Sequence, residues 1–261
     1  MNRPRVMHGY RELLEKEVVE AWRTYGLGSL VVLFAVLGIV IPVVTRYGDE
    51  LLRAFAGPDF EVGLGEVGPA DILDRLLRNL VLFGGVTAVL LAMGSVAGEK
   101  ERGTARLVLA TPVRRAAFLW AKFVAMAMQL GLGVGLALLA AWLYTGLLFG
   151  GQSAVAWAQM ALVVWLSTLV YASITFLGST LVGSPLGAAA IGFAAIVGLS
   201  IASGVTTLNP WLPTGLLDVA ISLGLEEVSP DLDPGRTVAI SLAVVAGTLV
   251  LAWLRFRRAD L

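Results

Sequence analysis

The sequence predicts an all-α integral membrane protein. It has six transmembrane helices, an amphipathic helix ahead of the first, and a short helix in the loop between the second and third. Two observations carry this class. From Phe123 through Leu217 run 95 residues without one Asp, Glu, Lys, Arg or His. A water-soluble surface needs charged groups, so an uncharged stretch of that length, broken by Gly, Pro and small polar residues, reads as membrane spans joined by short turns. The whole chain is 57% hydrophobic and 15% charged with a mean hydropathy of +0.83, which places it in the same class.

The spans follow from apolar run length. Residues 27–44 form the first, 80–97 the second, 116–149 an overlong third with Lys122 near its start, 155–182 the fourth, 186–208 the fifth and 238–254 the sixth. Gly183-Ser184-Pro185 separates spans four and five, because proline ends one helix and opens the next at little cost. The chain is one transmembrane unit, 1–261, with the bundle at 27–254 and no room for a second domain expected.

An even number of spans puts both termini on one side. The N-terminal segment, the loop after span two together with Lys122 at the start of span three, and the C-terminal tail hold 14 Lys/Arg against 7 Asp/Glu; the other segments hold 5 against 12. The positive-inside rule therefore predicts cytoplasmic termini and a cytoplasmic loop after span two, in a cell inner (cytoplasmic) membrane. Arg255, Arg257 and Arg258 close span six as an anchor. The first apolar run starts too late, behind a charged helix, for a cleavable signal peptide to be expected.

Residues 6–25 form the amphipathic helix. Tyr10, Leu13, Leu14, Val18, Ala21, Trp22 and Tyr25 share one face at helical spacing, and Arg11, Glu12, Glu15, Lys16, Glu20 and Arg23 make the other. Arg11–Glu15, Glu12–Lys16 and Lys16–Glu20 are pairs of opposite sign at i,i+4. Such a helix rests on the inner leaflet, touches a soluble partner, or does both. The first outer loop, 46–79, ends in a helix starting at Gly68-Pro69. That helix has Asp71, Asp74, Arg75 and Arg78 on one side, with Ile72, Leu73, Leu76, Leu77 and Leu80 on the other, and it is expected at the outer surface, leading into span two. The second outer loop, 207–236, carries Asn209-Pro210-Trp211 and four acids between Glu226 and Asp233, read as a solvated surface.

The loop after span two reads Gly98-Glu99-Lys100-Glu101-Arg102-Gly103-Thr104-Ala105-Arg106-Leu107-Val108-Leu109-Ala110-Thr111-Pro112-Val113-Arg114-Arg115. Gly103 can end span two, Thr104 can cap a short helix to about Ala110, and Thr111-Pro112 can open span three. A short helix between two spans, flanked by charges of both signs, can pass motion from a docked protein into both spans; it can also be a connector that only enforces topology.

These residues, followed by Trp120-Ala121-Lys122-Phe123, resemble the signature of the type-2 ABC transporter (ABC-2 family) permeases, six-span exporter subunits. The helix before span one looks like that family's elbow helix, and Asn209-Pro210-Trp211-Leu212-Pro213 is similar to its outer loop. The resemblance implies that 98–115 is the coupling segment seating in a separate ATPase subunit. The expected contact residues are Glu99, Lys100, Glu101, Arg102, Gly103, Thr104, Arg106, Leu107, Pro112 and Arg114. It also implies two ATPase copies, two permease copies (a homodimer) and transport outward. The chain has no Gly-x-x-x-x-Gly-Lys-Ser/Thr phosphate loop, so no cofactor is expected in it, and ATP with Mg belongs to the partner subunit.

Small residues recur every four positions at Ala190, Ala194, Gly198 and Ala202 on span five; Gly131 and Gly135 do so on span three. These stripes serve either packing within the subunit or a dimer surface, with span five the candidate. No catalytic or metal site is expected. There are no cysteines, the lone His8 precedes the first span, and Ser167 and Ser173 lack a candidate base. An ion-coupled secondary carrier would place ionisable groups at mid-membrane, where spans one and three to six have none. That argues against a proton relay but not against sodium held by carbonyls, so an ion-coupled secondary transporter and a membrane scaffold subunit are the alternatives. No nucleic-acid contact is expected. Gln129, Gln159, Thr168, Tyr171, Thr175, Ser200, Ser203 and Thr206 are candidates to line a pathway.

Overall fold

Six long apolar helices form the bundle. The computed structural model describes residues 6–23, 26–56, 68–101, 103, 115–150, 153–205, 207–225 and 232–258. The helices are α1 (Val6–Arg23), α2 (Gly26–Ala56), α3 (Pro69–Met93), α4 (Ala97–Glu101), α5 (Arg115–Phe149), α6 (Ala154–Leu181), α7 (Pro185–Ser203), α8 (Leu216–Leu225) and α9 (Pro234–Arg257). Helices α2, α3, α5, α6, α7 and α9 correspond to the six predicted spans. Among the described residues there is no strand.

Helix α6 is the hub: it packs against α3, α5, α7, α8 and α9. Helix α2 lies along α5, and their backbones come close enough that a Cβ at Gly38 would run into the Ala137 carbonyl. Around α2, α3, α5, α6 and α8 one buried cluster includes Phe34, Leu76, Leu80, Val134, Trp157 and Met160. A second, around α3, α5, α6 and α9, stacks Phe118 on Phe256 and sets Phe123 edge-on to Phe176. Large apolar side chains on the outside, such as Leu186, Ile201 and Leu251, are exposed, as lipid-facing residues are.

Helix starts follow local chemistry. Ser153 accepts from the Ala156 N–H, Ser184 from the Gly187 N–H, and Asp233 from the Arg236 N–H; Pro185 and Pro234 occupy first-turn positions. The break at 182–184 is therefore the predicted one. Elsewhere the structure revises the prediction. The first span does not stop at residue 44 but runs as α2 to Ala56. The segment from Gly68 is no separate surface helix: it is the first part of α3, with Ile72, Leu76, Leu77 and Leu80 in the core and Asp74 paired with Arg78 on the exposed side. The second outer loop holds two short 3-10 turns (Asn209–Trp211 and Pro213–Gly215) and α8, whose Leu216, Val219 and Ala220 are buried against the bundle. Span two ends not at Gly103 but at Met93, with Gly94-Ser95-Val96 as the break and α4 following; Gly103, at φ +72°, comes after α4 instead.

Candidate functional site

One end of the bundle gathers α1, α4, the start of α5 and the end of α9. Helix α1 lies against α5, and the Arg115 guanidinium donates to the Arg257 carbonyl oxygen at 3.1 Å, closing the start of α5 onto the end of α9. This end carries the start of the predicted coupling segment.

Here three helices meet on a buried ion triad. Lys122, two turns into α5, places its Nζ 2.6 Å from Glu99 Oε1 of α4 and 2.8 Å from Glu17 Oε1 of α1. The Lys122 and Glu99 side chains are only 7% and 9% exposed, and Glu17 only 16%. The ammonium also lies 5.1 Å from the centre of the Phe118 ring. A lone lysine inside an apolar span is costly unless paired, and here two carboxylates from two other helices pair with it. The same contacts tie the amphipathic helix and the root of the loop to span three.

A second set of contacts fixes the break between α3 and α4. Ser179, near the end of α6, accepts the Val96 and Ala97 N–H groups at 3.0 and 2.8 Å and donates to the Met93 carbonyl at 3.2 Å. Backbone groups freed by the break are thus satisfied inside the protein, which the membrane environment demands. Next to it, Lys100 Nζ donates to the Thr180 carbonyl at 2.6 Å, at the end of α6, where helix carbonyls lack partners.

The predicted contact residues therefore divide. Glu99 and Lys100 turn inward, onto α5 and α6. Glu101 and Gly103 are exposed. Arg102, Thr104, Arg106, Leu107, Pro112 and Arg114, with the short helix expected over 104–110, lie outside the described residues. On α7, Ala190, Ala194 and Gly198 face outward and Ala202 is half-buried. Gly131 instead packs on Trp165 inside the subunit. Of the candidate lining groups, Thr168, Thr175, Ser200 and Ser203 bond carbonyls of their own helices, Tyr171 is buried, Gln159 is exposed, and Thr206 lies outside the described residues. Gln129 lines the cleft beside the triad.

Glu17 escaped the sequence reading. It sits on the apolar side of α1, between Leu13/Leu14 and Ala21, all half-buried, whereas Val18 and Trp22, assigned to that side, are exposed. A single acid on an apolar stripe, in a chain with a single lysine inside a span, was the available signal. The i,i+4 pairs Arg11–Glu15 and Lys16–Glu20 form on the outer face as read.

The sequence model described as ABC-2 family transporter protein matches residues 12–261. The chain is also 27% identical over 148 residues to the transmembrane protein YxlG of Bacillus subtilis (strain 168); the match covers 54% of this chain and 55% of that one, so it spans about half the length of each.

Proposed function

From the premise that this chain belongs to the ABC-2 family of transporter proteins, and so serves as a membrane transport permease, we propose that it is the substrate-carrying subunit of an ATP-driven exporter. In this reading it works as a homodimer with two copies of a separate ATP-binding subunit. It lies in the cell inner membrane with both termini cytoplasmic. The supporting observation is the triad. The loop that would receive the ATPase leaves the bundle at α4, and α4 is held by Glu99 to α5 and, through Lys122, to α1. A push on α4 reaches a span and the amphipathic helix together, through the Lys122 that Glu99 and Glu17 share. Docking is carried by Glu101, Arg102 and the residues that follow, because Glu99 and Lys100 are spent on internal contacts.

Charge reversal of the exposed part tests this. Glu101→Lys with Arg102→Glu is expected to weaken capture of the ATPase subunit by more than about tenfold, the cost of losing a close charge-assisted contact, while leaving the permease folded. Unchanged complex formation and unchanged stimulated ATPase activity would refute the assignment. Orientation has its own test: a cysteine at Gly57 should react with an impermeant thiol reagent from outside, and one at Arg106 should not.

A further inference from the structure

Where α4 meets the ends of α6 and α9, cations gather without acids. Lys100 of α4, half-buried, reaches the Thr180 carbonyl at the end of α6. Arg255 of α9 is close enough for its positive charge to act on the Lys100 ammonium. Arg257 lies 5.0 Å from the centre of the Trp253 ring, and Arg258 is exposed one turn beyond Arg255. Among the described residues none of these four cations pairs with a carboxylate. Glu99 turns to Lys122, and Glu101 is exposed and pairs with neither Lys100 nor Arg255.

Two like charges from two helices therefore face each other at the edge of an apolar medium, where repulsion is poorly screened. A helix-end carbonyl supplies only part of a counter-charge. An anion between Lys100 and Arg255 would turn that repulsion into a bridge. The surroundings say which anion. Arg255 directly follows Leu254, the last apolar residue of span six, and so stands at head-group level. Gly247, Leu251 and Arg255 share one face of α9. Gly247 has nothing within 4 Å, and Leu251 is exposed, as is Leu181 beside Thr180. Apolar surface that continues into unpaired cations matches a lipid with an acidic head. A zwitterionic lipid brings its own ammonium, which weakens the attraction.

We propose that the phosphate head group of an anionic lipid binds here between Lys100 and Arg255, with an acyl chain lying along Leu251 and Gly247. The lipid joins α4 to α9 from outside the bundle, opposite in chemistry to the triad that joins α4 to α5 from inside. Such a site requires neither a cargo nor an ATPase subunit.

The test uses the purified full-length chain in detergent, titrated with phosphatidylglycerol or phosphatidylcholine, with bound lipid counted by native mass spectrometry and melting followed in parallel. Phosphatidylglycerol is expected to bind more tightly and to raise the melting temperature. Arg255→Gln and Lys100→Gln should each weaken its binding about fivefold, the worth of one cation at an anionic lipid surface, without changing that of phosphatidylcholine. The Arg255 side chain makes no hydrogen bond or ion pair among the described residues, so Arg255→Gln in phosphatidylcholine should melt as wild type does. Arg75→Gln removes an exposed cation at the opposite end of the bundle and should alter neither lipid. Phosphatidylglycerol with a photoreactive group on its chain should label 247–251. Displacement by an equal concentration of inorganic phosphate would overturn the lipid assignment in favour of a free anion. Equal binding of the two lipids, or undiminished binding of phosphatidylglycerol by Arg255→Gln, would overturn the site and leave these cations to a soluble partner.

Discussion

Helices α6 and α7 are consecutive spans of the same mean hydropathy, both free of Asp, Glu, Lys, Arg and His, yet 67% of the most apolar stretch of α6 is buried and only 17% of that of α7. Composition therefore does not say which span is the hub. The difference lies in how each spends its small and polar residues. Helix α6 buries Ser167, Thr168, Ser173, Thr175, Ser179 and Thr180. Ser173 and Thr175 donate to the Val170 and Tyr171 carbonyls of their own helix, so they are small, satisfied, close-packing surfaces. Helix α7 presents Gly192 to Thr175 and Val89 on one side, while Gly198 has nothing near it on the other. In a membrane every helix is greasy, and burial is decided by close fit and internal hydrogen bonding rather than by hydrophobicity.

The largest break in this pattern is expected from Lys122→Met, at the buried ion triad. Two carboxylates would be left facing each other without their ammonium, and loss of one partner from a buried pair costs about 3–5 kcal/mol. Thermal unfolding in detergent should fall steeply, and Lys122→Arg, which keeps the charge, should recover part of it. A smaller effect is expected from Ser179→Ala. It strips a shared acceptor from the Val96 and Ala97 N–H groups, and each buried donor left unsatisfied costs about 1–3 kcal/mol. Hydrogen exchange should then speed at 94–101 before it does elsewhere in the bundle.

The two faces of α7 sharpen the comparison. Gly192→Leu drives a side chain into Thr175 and Val89, and overpacking of this kind costs about 1–3 kcal/mol. Gly198→Leu, on the open face, should leave the folded monomer as stable as wild type while shifting a dimer in detergent to monomer. A variant that stays dimeric would move the proposed interface off α7. The smallest change is expected from Ser173→Ala, whose hydroxyl bonds only its own helix: within about 1 kcal/mol, measured by the same melting curve. A much larger loss would mean that Ser173 does more than bond its own turn.

Only part of the candidate site was legible before folding. The pairs Arg11–Glu15 and Lys16–Glu20 of α1 form as their spacing predicts, and Lys122 is a lone lysine in an apolar span before any partner is known. What was misread had competing local solutions. Gly103 and Gly94 can each terminate a helix, and only the Ser179 hydroxyl, 82 residues beyond Ala97 in sequence, makes the earlier break the stable one. Glu99 reads as a docking charge beside Glu101 until Lys122 is seen to face it. Helix α8 was passed over because ten residues are too short for a span, and a short apolar segment in a loop gains its helix by packing on α6 and α3.

The sequence by itself determined the membrane class, the number of spans, the amphipathic helix and the asymmetry of charge between the two sides. These depend on run length, periodicity and composition, which are local and additive along the chain. The tertiary structure alone decided which span sits at the centre, where span two breaks, and that Glu17, Glu99 and Lys122 share one site. Those outcomes depend on pairings between groups far apart in the chain. In a medium where every unpaired charge and backbone group is costly, only the packed bundle can make those pairings.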